Sequence, residues 1–305
     1  MRRLAYVAIV ILLLLPVTAA GIGTQLVSVL LHPMNLNPDR NAQVIEMLAR
    51  TEATKEDFAV KATDGAVLRG WKVKPKSANG DWVFLYHGIS DNRTGNIAHA
   101  EFLLTNSYSV VMMDSRALGE SGGDMATYGW KEREDTRAIV DALYASEKVR
   151  HLYALGVSMG AAIALQSAAV EPRIDAVVAE DPFANLREVT YDYSGLQWSP
   201  LLGKTLFRPA SMTALYEVKK TGGFDPDDVS PEKAVKVRAF PILLICGTED
   251  HRIPCRHAEA IYKAAMGPKE LWIVQGAGHA SALGHDPQEY EKRVIQFFEK
   301  YPAGK

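Results

Sequence analysis

The sequence predicts an α/β fold: a mostly parallel sheet, entered by an antiparallel hairpin and covered by helices on both faces. Two observations carry this. Short apolar runs at Trp82–Tyr86, Tyr108–Met113, Leu152–Val157, Ile174–Ala179, Ile242–Cys246 and Leu271–Val274 read as strands. Helical patterns near Asn96–Leu104, Lys131–Ser146, Met159–Ala169, Cys255–Ala265 and Gln288–Tyr301 separate most of them. Alternation of this kind buries a parallel sheet beneath crossover helices. The hairpin comes first, Phe58–Lys61 and Val67–Val73 flanking a turn at Asp64-Gly65.

One stretch breaks the rhythm. Residues 185–233 are too long for an ordinary connection and are rich in large apolar groups, among them Tyr191, Tyr193, Trp198, Leu206 and Phe207. A structureless loop of that length is improbable, so a small helical insertion is expected. It serves either as a lid forming an apolar pocket or as extra helices packed on the sheet.

The chain opens differently. Arg2-Arg3 precede an uncharged stretch from Leu4 to Leu31, long enough to cross a bilayer core of about 30 Å. A cleaved signal peptide would end near Thr18-Ala19-Ala20, whereas an anchor would use the run through Leu31. Apolar residues resume after Gly23, which favours a signal-anchor over residues 1–32. Both readings put the remainder outside the cytoplasm, because the two arginines stay inside. A linker helix is expected over residues 33–56, with Asn37 as cap and Pro38 at its first position. The main domain follows over residues 57–303.

Composition excludes several classes. With 34 Lys+Arg against 36 Asp+Glu, nothing suggests nucleic acid or strong adhesion to anionic headgroups. No Cys/His spacing resembles a zinc site, no cofactor motif occurs, and no protein partner is evident. Of the two cysteines, Cys246 reads as a buried small hydrophobe and Cys255 as a loop residue; a disulfide between them is possible but is not the expected reading.

The chemistry-bearing feature is Gly156-Val157-Ser158-Met159-Gly160, between an apolar run and an Ala/Leu-rich helix. G-x-S-x-G is a nucleophile-elbow pattern, in which a sharp turn exposes the serine and aims the next N–H at a developing oxyanion. Alone it would occur by chance in roughly one chain in ten of this length. Acyl transfer also needs a base, a carboxylate to orient it, and a second oxyanion donor, each beyond the carboxyl end of a strand.

The base candidate is His279 in Gly276-Ala277-Gly278-His279, after the last strand; His285 beside Asp286-Pro287 suits capping. The acid candidate is Asp250, directly after Ile242–Cys246. Glu249 points elsewhere in a short loop, and Asp181 is the rival because some hydrolases place their acid there. The oxyanion donors would be the N–H groups of Met159 and of Ile89 in His87-Gly88-Ile89, with His87 holding the turn. Asp114 and Arg116 are expected to pair with each other.

In order and spacing, His87-Gly88, Asp114–Gly123, the Ser158 elbow, Gly247–Asp250 and Gly276–His279 resemble the α/β-hydrolase superfamily, over roughly Phe58 to Tyr301. Within it, the chain looks like the branch shared by prolyl-oligopeptidase-like peptidases and membrane-associated α/β-hydrolase-domain lipases and depalmitoylases. One departure is Ala117-Leu118, where the family's D-x-R-G loop carries a glycine. The resemblance implies an eight-stranded α/β-hydrolase sheet with a small lid, and cofactor-free hydrolysis of a small-molecule or acyl substrate. Esters or thioesters suit the apolar insertion better than peptides. A serine peptidase, a silent binding protein on this fold, or lyase or perhydrolase chemistry on the same triad stand as alternatives.

Overall fold

A computed structural model describes residue 21, residues 23–25, residues 27–194 and residues 200–302. Helix α1 (Asn41–Thr51) leads into strands β1 (Thr54–Lys61) and β2 (Val67–Lys74), the expected hairpin. There follow β3 (Asp81–Tyr86), α2 (Ile97–Thr105), β4 (Ser109–Met113), α3 (Glu132–Ser146), β5 (His151–Val157), α4 (Met159–Val170) and β6 (Ile174–Glu180). The insertion forms α5 (Leu186–Ser194), α6 (Pro200–Lys204), α7 (Arg208–Gly222) and a one-turn α8 (Pro231–Ala234). The chain closes with β7 (Ile242–Gly247), α9 (Arg256–Ala264), β8 (Lys269–Val274), a short α10 (Ala282–His285) and α11 (Pro287–Lys300).

The eight strands form one sheet in the order β1-β2-β4-β3-β5-β6-β7-β8. Both pairings of β2 are antiparallel, and every pairing from β4 to β8 is parallel. Strand alternation builds a core on each face. In β3, Trp82, Phe84 and Tyr86 join one apolar cluster, while Val83 and Leu85 join the other. The first cluster includes most of α4, whose Ala161, Ala162, Ala164 and Ala168 bring that helix against the sheet. Burial on both faces is why these strands read as continuous apolar runs.

Two expectations are corrected here. Helix α1 starts at Asn41, not at Pro38. Asn37 sits at φ +37° and its side-chain oxygen accepts from Asn92 Nδ2, so Asn-Pro makes a bend, while the Asp39 carboxylate takes the Asn41 N–H. Cys246 and Cys255 are bonded to each other as a disulfide. The strand end and the start of α9 fold back around one loop, which brings their Cα atoms to 5.4 Å.

Most of the stretch expected as an anchor, residues 1–20, lies outside the described residues. Those described between 21 and 31 are helical, with Val27 and Leu31 buried in the first core cluster. Among the described residues no helix is long and apolar enough to cross a membrane.

Candidate active site

The elbow has the geometry its glycines require. Ser158 follows β5 and caps α4 at φ +57°, ψ −119°, a conformation unfavourable for an L-residue. Its N–H donates to the Glu180 carbonyl (2.8 Å), which ties the turn to β6. A Cβ on Gly156 would collide with the Gly160 carbonyl, and one on Gly160 with the carbonyl oxygen of Tyr86. Strand and helix therefore approach at a distance only glycine allows. The outcome is a serine hydroxyl held at the carboxyl edge of the sheet.

His279 meets that hydroxyl. Its Nε2 lies 2.9 Å from Ser158 Oγ, and its Nδ1 lies 2.7 Å from Asp250 Oδ2. The other oxygen of Asp250 accepts the N–H groups of Arg252 (2.8 Å) and Ile253 (2.9 Å), fixing the carboxylate in its own loop. The structure thus brings together all three residues nominated as nucleophile, base and acid. His285 and Glu249 are exposed and stand apart, Glu249 3.7 Å from His251.

The rival acid is also close. Asp181, at the end of β6 with φ +49°, places Oδ2 3.8 Å from His279 Nδ1. Both its oxygens are engaged, by Ala280 N–H (2.7 Å) and Gly247 N–H (3.3 Å), so it braces the histidine loop. Burial, then the neighbouring charges of Glu180 and Asp250, push its pKa up to about 8. Glu180 adds a second brace: its carboxylate accepts Ala282 N–H (3.0 Å) and the Tyr290 hydroxyl (2.9 Å). Asp181, Asp250 and His279 present ligand atoms within 4.8 Å of one another. Each of the three already has a hydrogen-bond partner within the site.

The turn after β3 lies beside Ser158. A Cβ on Gly88 would stand 3.8 Å from that of Ser158; Ile89 is the next residue along the chain, and Met159 opens α4. His87 is buried and makes two bonds, Nδ1 to the Gly88 carbonyl (2.7 Å) and Nε2 to Ser115 N–H (2.9 Å). Burial holds its pKa down, so it is a neutral turn-holder.

The expected Asp114–Arg116 pair does not form. Asp114 bonds Arg93 (2.5 Å), and Arg116 bonds Asp135 (2.6 Å) and Asp64 (3.0 Å). Beyond a strand end, residues two apart need not share a side. Ala117, at the position where the family's loop carries a glycine, adopts φ +61°, its N–H bonded to the Gly122 carbonyl (3.0 Å).

The site sits within a region, residues 77–293, that matches the model of the alpha/beta hydrolase family. This chain belongs to that family. Among its relatives, the uncharacterised protein YqkD of Bacillus subtilis is 28% identical over 269 residues, spanning 86% of this chain and 84% of YqkD. The Pyrococcus furiosus esterase Pf2001 superposes with a TM-score of 0.68 at 24% identity, covering 84% of this chain and 96% of the esterase. The acylaminoacyl peptidase of Pyrococcus horikoshii gives 0.62 at 18% identity, covering 87% of this chain but 44% of the peptidase. These likenesses establish the hydrolase fold.

Three parts of this hydrolase escaped the sequence reading. Glu180, one residue past the apolar run Ile174–Ala179, is fully buried. The bracing role of Asp181 has no local signature. The insertion's anchor was also invisible: Asp192 of α5 accepts from His257 Nε2 (2.6 Å) and from Arg256, both on α9. His257 Nδ1 meanwhile accepts the Ala184 N–H (3.1 Å). A charged residue amid the aromatic run at 191–198 was the one available hint.

Proposed function

We propose that this hydrolase cleaves carboxylic esters or thioesters through a serine nucleophile and an acyl-enzyme intermediate. One observation carries the reading: the continuous relay Ser158 Oγ, His279, Asp250, with contacts of 2.9 and 2.7 Å, on a strained elbow. His279 takes the Ser158 proton as Oγ attacks the carbonyl carbon, and the N–H groups of Met159 and Ile89 stabilise the oxyanion. The imidazolium then protonates the leaving alcohol or thiol. Water, deprotonated by the same histidine, releases the acid and restores the serine. Asp250 holds Nδ1–H in place, leaving Nε2 free to act as base.

The helical insertion supports an acyl substrate. It leaves the sheet directly after β6, and Tyr193 of α5 stands near enough to Asp250 for that charge to help raise its pKa, after burial. A peptidase reading has the acylaminoacyl peptidase as its neighbour, but this chain spans under half of that protein. We further place the domain on the extracytoplasmic side of a membrane, held by residues 1–32. The Cys246–Cys255 disulfide favours such an oxidising compartment.

Turnover of a short p-nitrophenyl ester and labelling by a fluorophosphonate test the reading together. Ser158→Ala should lose both while keeping the wild-type melting profile. Full turnover in that variant would overturn it.

A further inference from the structure

The described residues between 21 and 37 run along the catalytic edge of the domain. A Cβ on Gly23 would lie 2.7 Å from Thr213 Cβ on α7, so the segment packs on the insertion. The Leu30 carbonyl accepts the Tyr128 hydroxyl (2.7 Å) and the Leu31 carbonyl accepts Ala126 N–H (2.9 Å). Asn35 exchanges two bonds with Gly119 beyond β4, and Asn37 bonds Asn92 beyond β3. The described part of the uncharged N-terminal sequence therefore joins the domain beside α7, at the same sheet edge as Ser158.

Exposed apolar side chains concentrate there. Among the described residues, eight of fourteen exposed large hydrophobics fall in residues 21–37 and 186–222, about a sixth of the chain. On α7, Arg208, Met212, Tyr216 and Lys220 recur every fourth residue, all exposed, with Met212 at 49% and Tyr216 at 65%. That stripe has an apolar middle and a cation at each end. It is the pattern of a helix lying in a lipid interface, with long cationic side chains reaching the phosphates. Leu201 (67%) and Leu206 (58%) on and after α6, and Met34 and Leu36 on the N-terminal segment, are further exposed apolar side chains.

We propose that this face, the outer side of α6 and α7 with residues 29–36, rests on the phospholipid bilayer. The catalytic edge then faces the membrane, and the substrate is an acyl chain drawn from it. Net charge near zero is compatible, because the contact is chiefly apolar and its cations meet phosphate, which every phospholipid carries. The membrane contact stands on the exposed face itself; only the choice of substrate rests on the acyl-transfer reading.

The test uses the full chain in phosphatidylcholine–phosphatidylglycerol vesicles, with an environment-sensitive fluorophore on Tyr216→Cys or, for reference, on Met266→Cys. Met266 is exposed just before β8, at the opposite sheet edge. Both native cysteines are bonded, so the new thiol takes the label. The expected result is quenching at 216 by nitroxide-labelled lipid and not by aqueous iodide, with the reverse at 266. Equal iodide quenching at both positions overturns the proposal. So does shielding from both quenchers in a sedimenting dimer, which would give the face to a second copy.

Activity supplies an independent arm. The Met212→Glu, Tyr216→Glu pair should lower hydrolysis of a long-chain ester embedded in the vesicles about tenfold or more, and leave a water-soluble acetate ester unaffected. Unchanged vesicle hydrolysis, or equal loss on both substrates, counts against it. Ester hydrolysis that survives Ser158→Ala would remove the acyl-transfer reading and leave the quenching result standing.

Discussion

Asp181 and Asp250 converge on one ring nitrogen, with their Oδ2 atoms 3.8 and 2.7 Å from His279 Nδ1. Only Asp250 is within hydrogen-bonding reach. Two buried carboxylates this close resist ionising together, and the pKa of Asp181 is the one pushed up, to about 8. Asp250 is thus the carboxylate in contact with the imidazole, while Asp181 braces the Ala280 and Gly247 N–H groups.

The two acids should therefore separate kinetically. Asp250→Asn presents the wrong tautomer to Ser158 and should lower kcat about 10³- to 10⁴-fold, with KM little changed; the upper figure is the known cost of this change in the Ser-His-Asp template. Asp181→Asn keeps the relay and loosens only its support, so a fall of about tenfold is expected. Steady-state kinetics on a p-nitrophenyl ester distinguishes them, and the reverse ranking would make Asp181 the acid.

Stability should carry the imprint of Asp181 as well. Its folded pKa lies above the unfolded value near 4, so the native state holds a proton that the unfolded chain has released. The contribution is fully present below pH about 4 and is lost as pH rises through about 8. Replacing Asp181 with Asn should flatten the decline in Tm across that window, apart from a constant offset for the lost hydrogen bond. Calorimetry of wild type and variant at matched pH values checks the slope. Parallel curves would show that Asp181 ionises normally.

The disulfide invites a different experiment. Cys246 and Cys255 close a short loop whose interior includes Asp250. Loop-closure entropy for a ring of this size corresponds to about 2–3 kcal/mol of stability. Cys246→Ala with Cys255→Ala should lose that much in urea unfolding and respond no further to reductant. Asp250 is also held by the Arg252 and Ile253 N–H groups, so kcat should fall only severalfold. A loss as large as that of Asp250→Asn would mean the disulfide alone sets the acid's position.

What was legible in the sequence followed local rules. Ser158 sits in a strand–turn–helix whose glycines are sterically required, and Asp250 and His279 each follow a recognisable strand, so chain order was enough to nominate them. Contacts set by topology were not legible. Arg93 reaches Asp114 because β3 and β4 are sheet neighbours, and Asp135 reaches Arg116 from α3; the adjacency of Asp114 and Arg116 in sequence pointed to the wrong pair. Cys246 and Cys255 meet because a strand end and a helix start converge, which their apolar and loop surroundings did not reveal. Asn37-Pro38 resembled a cap, but a bond to Asn92 makes it a bend.

Asp192 fastens the insertion to the catalytic domain through His257 and Arg256. Because His257 Nδ1 accepts the Ala184 N–H, its proton is on Nε2 and points at the carboxylate. Asp192→Asn removes the charge that both donors address and leaves His257 buried with a weaker acceptor. Arg256 is 39% exposed at its side chain and can rehydrate, which limits the cost to about 1–3 kcal/mol. Since α5 then loses its fixed seat beside Asp250, substrates that depend on the insertion should suffer most. The expected result is a larger drop in kcat/KM for a long-chain ester than for an acetate ester, with a modest fall in Tm. Equal losses on both esters would show that the insertion steadies the domain without shaping the acyl site.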